Sequence, residues 1–340
     1  MAAPMASLPA GDASFRGVAR LLAALLPDVV LPPGAEREPS LESLARPLEP
    51  ARVISAAIIE GRSMRAHAVE RAEIAGFAAF LDGRQSSRAV YFTADGAPIV
   101  HGTAAAVVRI RRDRRLYTWR HSVEPRLYAD RGRVPSALWS ELVRRGLDLR
   151  DTHQSSDAKN ESSAFDHPFA LRDAAIHCLQ KDREAAEERL AIAWCSSETR
   201  PILIDGGISG SEPVAHSALA IGVVKSHRTL YADGDALVRV LALECGERSS
   251  VFRVTSPKRV PVASWYLRIR DRVRWDPMWG LVRVEAASIA APGDRAIAAR
   301  ADCVSGWILA EATPIALPDA RWDKMVYGIG DCEEFLKAVT

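Results

Sequence analysis

Apolar residues in this chain fall into short runs that end on turn signals, with stripes of helical spacing between them. Phe77–Asp82, Ala89–Thr93 and Ala104–Arg111 are runs of strand length in quick succession. Ala94-Asp95-Gly96-Ala97-Pro98 is a turn cluster between the second and third, and Gly83 opens the first connection. Links this short predict antiparallel neighbours. From Phe169 to Trp194 the period changes, and Leu171, Ala175, Cys178, Leu179, Ala186, Leu190 and Trp194 recur on one face of a long helix. Strands return at Ile202–Asp205, Ala218–Val224, Val251–Val254, Trp265–Ile269 and Leu281–Val284. Helices are predicted at Asp235–Leu243, Ala296–Glu311 and Asp331–Val339. Ahead of the first strand, Phe15–Leu26 reads as a short amphipathic helix and Leu41–Ala72 as mostly helical, broken at Pro47 and Pro50. The polar stretch from Asp151 to Asp166 reads as a loop.

This mixture predicts an α/β fold, with residues 1–73 as a helical extension and residues 74–340 as the main domain. Three antiparallel strands, a helix and a further strand is the order of a ribonuclease-H-like core, a mixed sheet flanked by helices. In that order the first and fourth strands lie side by side. The two strands predicted to be neighbours both end on Asp-Gly, in Gly76-Phe77-Ala78-Ala79-Phe80-Leu81-Asp82-Gly83 and in Pro201-Ile202-Leu203-Ile204-Asp205-Gly206-Gly207. One Asp-Gly is usually a turn in which the carboxylate caps the backbone. Two of them on adjacent strands place two carboxylates together, the donor set that hard divalent ions prefer. Lys225 and His227 follow the next strand and are positioned to contact a phosphate or polarise a water.

Composition narrows this picture modestly. The chain has 340 residues, and 45 Lys and Arg against 43 Asp and Glu leave no global basic signal for nucleic acid. The basic residues are unevenly spread. Arg109, Arg111, Arg112, Arg114 and Arg115 form one dense stretch and Arg268, Arg270, Arg272 and Arg274 another, the local pattern that a phosphate backbone reads. A solvated strand edge gives the same pattern. Five cysteines with no close pair suggest reduced thiols and a cytoplasmic protein. The start, Met1 to Asp12, lacks the positive charge of a signal peptide. Leu21–Val30, broken by Pro27-Asp28, is too short to span a bilayer.

Later segments extend the pattern: Gly222-Val223-Val224-Lys225-Ser226-His227-Arg228-Thr229, Gly246-Glu247-Arg248, Ser264-Trp265-Tyr266-Leu267-Arg268 and Trp279-Gly280-Leu281-Val282-Arg283-Val284-Glu285. In this order after the two Asp-Gly strands, they resemble the NurA nuclease family, in a bacterial branch, from about Phe77 to the C-terminus. The resemblance implies a ribonuclease-H-like fold and Mn2+-dependent (or Mg2+-dependent) processing of DNA ends. It also implies a homodimer working with a HerA-type hexameric ATPase, in repair or in defence against phage. Asp82 and Asp205 match the family's metal-binding aspartates. The family's helix glutamate corresponds to Glu184, Glu187 or Glu188, of which Glu187 is favoured. Arg111, Arg112, Arg248, Tyr266 and Arg268 are the candidate DNA contacts, although a Trp265-Tyr266 pair is more often core than a base-stacking platform. The family's Tyr-Pro and late His have no counterpart: the chain carries Leu317-Pro318 and no His beyond His227. Asp319, Asp323 and Asp331 are candidate replacements.

That departure opens an alternative, a catalytically weak NurA-like subunit that binds DNA or regulates an ATPase. A transposase-like or Argonaute-like module and an unrelated α/β binding domain are further alternatives. The chain has no Gly-x-x-x-x-Gly-Lys-Ser/Thr motif, so any ATP-driven translocation is expected from a partner, docked on the helices Phe15–Leu26 and Leu41–Ala72.

Overall fold

Three long antiparallel strands carry the fold. The computed structural model describes residues 12–26, 51–74, 76–113, 115–153, 167–226, 228–255, 259–272, 276–288, 294–312 and 327–340. The chain opens with α1 (Phe15–Leu25) and three short strands, β1 (Arg52–Val53), β2 (Ala57–Ile58) and β3 (Ala66–Ala68). The long strands β4 (Ala79–Phe92), β5 (Pro98–Arg112) and β6 (Arg115–Ala129) follow, then α2 (Ser136–Arg144) and β7 (Leu149–Asp151). The helix α3 (Pro168–Ser197) crosses to β8 (Ile202–Asp205), α4 (Glu212–Ala215), β9 (Ala220–Val224), β10 (Thr229–Leu230) and α5 (Gly234–Leu241). Strands β11 (Glu247–Ser249), β12 (Phe252–Val254), β13 (Val262–Arg268) and β14 (Leu281–Ala287) precede α6 (Asp294–Glu311) and α7 (Tyr327–Val339).

Twelve of these strands form one mixed sheet, its main path running β2, β12, β13, β14, β9, β8, β4, β5, β6, β7, with β11 and β3 attached beside β13. The expected adjacency of the first and fourth core strands is present: β4 and β8 pair in parallel, with Leu81 opposite Ile204. The alternation of side chains along each strand divides the core into two faces. On one, Leu81, Ala106 and Val108 pack with Ala186, Leu190 and Trp194 of α3. On the other, Phe80, Ala105, Val107 and Leu203 pack with Val304 and Ile308 of α6 and with Ile329, Cys332 and Leu336 of α7. Ile329 and Leu336 are fully buried, each worth about 1.5–3 kcal/mol of docking.

Three expectations change. Phe77–Asp82 and Ala89–Thr93 belong to one continuous strand, because β4 runs through Gly83 and the polar residues Ser86-Ser87-Arg88 as half of a hairpin with β5. Its turn is the Asp95-Gly96 cluster. The third long strand is β6, whose first half is largely exposed and polar and lacks an apolar run. The stretch from Ala51 to Ala72 is not helical; it supplies β1, β2 and β3, and the last two join the main sheet. Its backbone is held by pairing with strands far along the chain, β1 with β10, β2 with β12 and β3 with β11. Residues 41–50 lie outside the described residues, as do most of the predicted 151–166 loop, Arg274, Leu317-Pro318, Asp319 and Asp323. No described helix is long and apolar enough to cross a membrane.

Candidate active site

Asp82 and Asp205 owe their meeting to strand register. Leu81 lies opposite Ile204 in the parallel pair β4–β8, so the next residue on each strand is an aspartate. By alternation Phe80 and Asp82 share one face of the sheet with Leu203 and Asp205, the face that α7 covers. α7 adds the third carboxylate. Single ligand atoms of Asp82, Asp205 and Glu333 all lie within 4.8 Å of one another. Glu333 is the functional candidate that the sequence reading missed. Its only signal in the sequence is the acidic start of a predicted helix, Asp331-Cys332-Glu333-Glu334, in which Asp331 is the candidate replacement for the late His.

Contacts with β4 and β5 aim α7. Gly328 lies flat on the Phe80 ring: a Cβ there would come within 2.3 Å of ring carbons. Arg109 Nε donates to Asp331 Oδ2 at 2.7 Å, and its guanidinium sits 5.4 Å from the Phe335 ring centre. The Cys332 thiol donates to the Phe80 carbonyl at 3.4 Å, directly between the two acidic neighbours. Asp331 is therefore a helix anchor, and the carboxylate delivered to the cluster is that of Glu333.

Glu187 lies on the other face. It reaches the strand ends over Gly83, whose missing side chain makes the room: a Cβ there would come within 1.9 Å of Glu187 Oε1. Gly83 is thus a close-approach residue and not the start of a connection. Arg183, one turn earlier on α3, donates to the Glu187 carboxylate. Glu187 accordingly stands outside the group of three that converge and beside it, in a pair of its own. Glu184 and Glu188 are exposed.

The electrostatics follow from this crowding. Burial pushes the Asp82 carboxyl up to about 8, Asp205 and Glu187 add to the rise, and Lys225 opposes it. Burial likewise lifts Glu187 to about 7 against the pull of Arg183. Lys225 Nζ donates to Asp205 Oδ2 at 2.9 Å, so the cluster holds one ammonium against three carboxylates. A donor set of hard carboxylate oxygens with excess negative charge, one member too buried to ionise readily, fits a divalent ion such as Mn2+ or Mg2+. On the α3 side a cleft of about 530 Å³ adjoins Asp205 and Glu187.

The candidate nucleic-acid contacts fare differently. Arg248 is 1% exposed and bound to Glu60 at 2.7 and 2.9 Å and to Asp302 at 2.6 Å. Arg268 is fully buried and donates to the carbonyls of Leu241, Leu243, Pro277 and Trp279, closing the end of α5. Tyr266 is fully buried, its hydroxyl accepting from the Tyr231 amide at 2.8 Å. Arg111 grips Glu311 of α6 through two bonds of 2.6 and 2.8 Å and stacks on Phe80. These four are corrected to structural roles: Arg111 and Arg248 pin α6 through ion pairs with Glu311 and Asp302, Arg268 ties down backbone carbonyls, and Tyr266 braces a backbone amide. Arg112, at the exposed tip of the β5–β6 hairpin, stays accessible. His227 lies outside the described residues.

No protein-family model matches the chain, and no curated protein matches it. Among solved structures it is similar to the crystal structure of the NurA nuclease from Sulfolobus solfataricus, at 10% sequence identity and a TM-score of 0.43, over 83% of this chain and 81% of that one.

Proposed function

We propose that this chain is a metal-dependent deoxyribonuclease built on a ribonuclease-H-like core. The observation that carries the reading is the convergence of Asp82, Asp205 and Glu333 within 4.8 Å, with Lys225 bound to one of them. A divalent ion held there supplies a low-pKa water and charge neutralisation at a phosphodiester. The protein's own part is positional. Asp82 and Asp205 are fixed by the strand pair, Glu333 by the docking of α7, and Lys225 is close enough to shift from Asp205 to a phosphate oxygen. Glu187 and Arg183, on the far side of Gly83, form a second charged pair beside the cluster. Mn2+ or Mg2+ is the ion of choice on donor chemistry, and DNA is the substrate suggested by the sequence resemblance.

The same resemblance supplies the assembly: a homodimer that works with a HerA-type hexameric ATPase, in repair or in degradation of phage DNA. The docking face is not the apolar side of α1, because Val18 and Leu22 are buried against Val90, Ile99 and Leu127. The competing reading of a weak, regulatory subunit drew on the missing late His. Glu333 offers a donor from the same end of the chain, which favours the nuclease.

Digestion of linear DNA in Mn2+ tests the reading. Asp205→Asn and Glu333→Gln should each lower the rate by about a hundredfold or more, at least what outer partners of metal ligands are worth, with melting temperatures preserved. Full activity in both variants would reduce the cluster to a structural feature.

A further inference from the structure

The cleft beside the carboxylates has two unlike walls. One is α3, presenting Arg183, Glu187 and Ala191. The other is the loop after β8 with Ser211, Val214 and Arg259. The loop wall is built rigidly. Buried Glu285 accepts from the amides of Ile208 at 2.8 Å and Ser209 at 3.3 Å, and its other oxygen binds Arg283 at 2.7 Å. The Val260 amide donates to the Ser209 carbonyl at 2.9 Å, which fixes Arg259 against the loop. Arg259 itself is exposed, with one bond of 3.5 Å to Ser209 Oγ. Ser211 is 8% exposed, and its hydroxyl has no hydrogen-bond partner among the described residues. A buried hydroxyl left unpaired costs free energy, and turning about χ1 presents it to the cleft at little cost.

These features suit a ligand with an apolar body and an anionic end. The floor, Ala191, Ile204 and Val214, is apolar, and a volume of about 530 Å³ lies in the range of small-molecule sites. Of the acidic lining residues, Glu184, Glu187 and Glu188 stand on α3 and Asp205 ends β8, where Lys225 is bound to it; Arg259, the cation of the loop wall, is the group that favours an anion there.

We propose that this cleft seats the deoxynucleotide adjoining the scissile phosphate, its sugar and base on the apolar floor and its outer phosphate on Arg259 and Ser211. The proposal rests on the nuclease reading and adds a substrate subsite to it. Arg259 and Ser211 are then specificity residues for a nucleotide chain, acting at a distance from the carboxylates.

The test uses the full-length protein and the 5′-phosphorylated dinucleotide pTpT, titrated by calorimetry in EDTA, with Mn2+ binding measured separately. The wild type should bind pTpT. Arg259→Gln should weaken it about tenfold or more, the loss of one charge-assisted hydrogen bond, and Ser211→Ala should weaken it measurably. Both variants should bind Mn2+ as the wild type does. Inorganic phosphate should bind far more weakly than pTpT. Absence of pTpT binding, insensitivity to both variants, or phosphate binding as tightly as pTpT would each overturn the subsite. A wild type that binds pTpT but not Mn2+ would instead overturn the nuclease reading, so the two failures are distinguishable.

Discussion

At Asp82 a carboxyl is buried beside two others, and the cost of ionising it appears in the stability of the ion-free protein. Its value rises from 3.8 to about 8, and that of Glu187 from 4.5 to about 7. Below pH of about 3 both groups are protonated whether the chain is folded or not, and their contribution to stability is fully present. As pH rises toward 8 the unfolded chain releases these protons first, so that contribution is lost across the interval. In EDTA, Asp82→Asn should therefore melt higher than the wild type by a margin that grows from pH 5 to pH 8. Added Mn2+ should raise the wild-type melting temperature most at pH 8. A margin that is flat or shrinks with pH would contradict the crowding inferred here. At this scale the sequence was partly legible. Asp82 and Asp205 were readable because register places a repeated strand motif side by side. Lys225 was readable as the end of the adjoining strand. Glu187 was one of three equivalent helix positions, and only the gap at Gly83 distinguishes it. Glu333 was not readable, since the distance between α7 and β4 in sequence says nothing about their packing.

Among elements, α7 is the one on which the site depends most. It covers Phe80 and carries Glu333, and Gly328 and the Arg109–Asp331 pair set its position. Gly328→Ala puts a methyl into the Phe80 ring, an overpacking worth about 1–3 kcal/mol. Arg109→Gln removes the ionic anchor and leaves the core packing. The expectation is that Gly328→Ala lowers the melting temperature, whereas Arg109→Gln chiefly weakens Mn2+ binding, by about 10–100-fold, as loss of an outer partner does. Calorimetry of both variants checks this, and unchanged Mn2+ affinity in both would separate α7 from the site. The long β4–β5–β6 ribbon shows why element boundaries were harder to read than element types. Ser86-Ser87-Arg88 looks like a connection, yet two-sided pairing satisfies its backbone. The basic residues of β5 look like a DNA-facing stripe, yet Arg109 and Arg111 are spent on α7 and α6.

For the whole molecule, β2 and β3 build the stretch Ala57–Ala68 into the main sheet. Glu60 neutralises the buried Arg248, and β2 and β3 extend the strands around it. Deleting residues 1–60 would take Glu60 from the buried Arg248, leaving Asp302 as its carboxylate partner, and would remove the core residues Val18, Leu21 and Leu22, so that truncation is expected to destabilise the fold and not merely to release a partner. Light scattering and co-purification with the ATPase should therefore use the full chain, with a dimer and a stable complex as the expected results. Alternation of strands and helices made the α/β class legible, because hydrophobic period depends only on local geometry. The N-terminal strands were not legible, because two- and three-residue strands owe their conformation to distant partners. The central claim is that Asp82, Asp205 and Glu333 hold a divalent ion where a phosphodiester is cut. Anomalous scattering from crystals grown with Mn2+ tests it most directly. A peak between the three carboxylates, absent in Asp205→Asn, is the predicted result; no peak there, with Mn2+ bound elsewhere or not at all, would contradict the account.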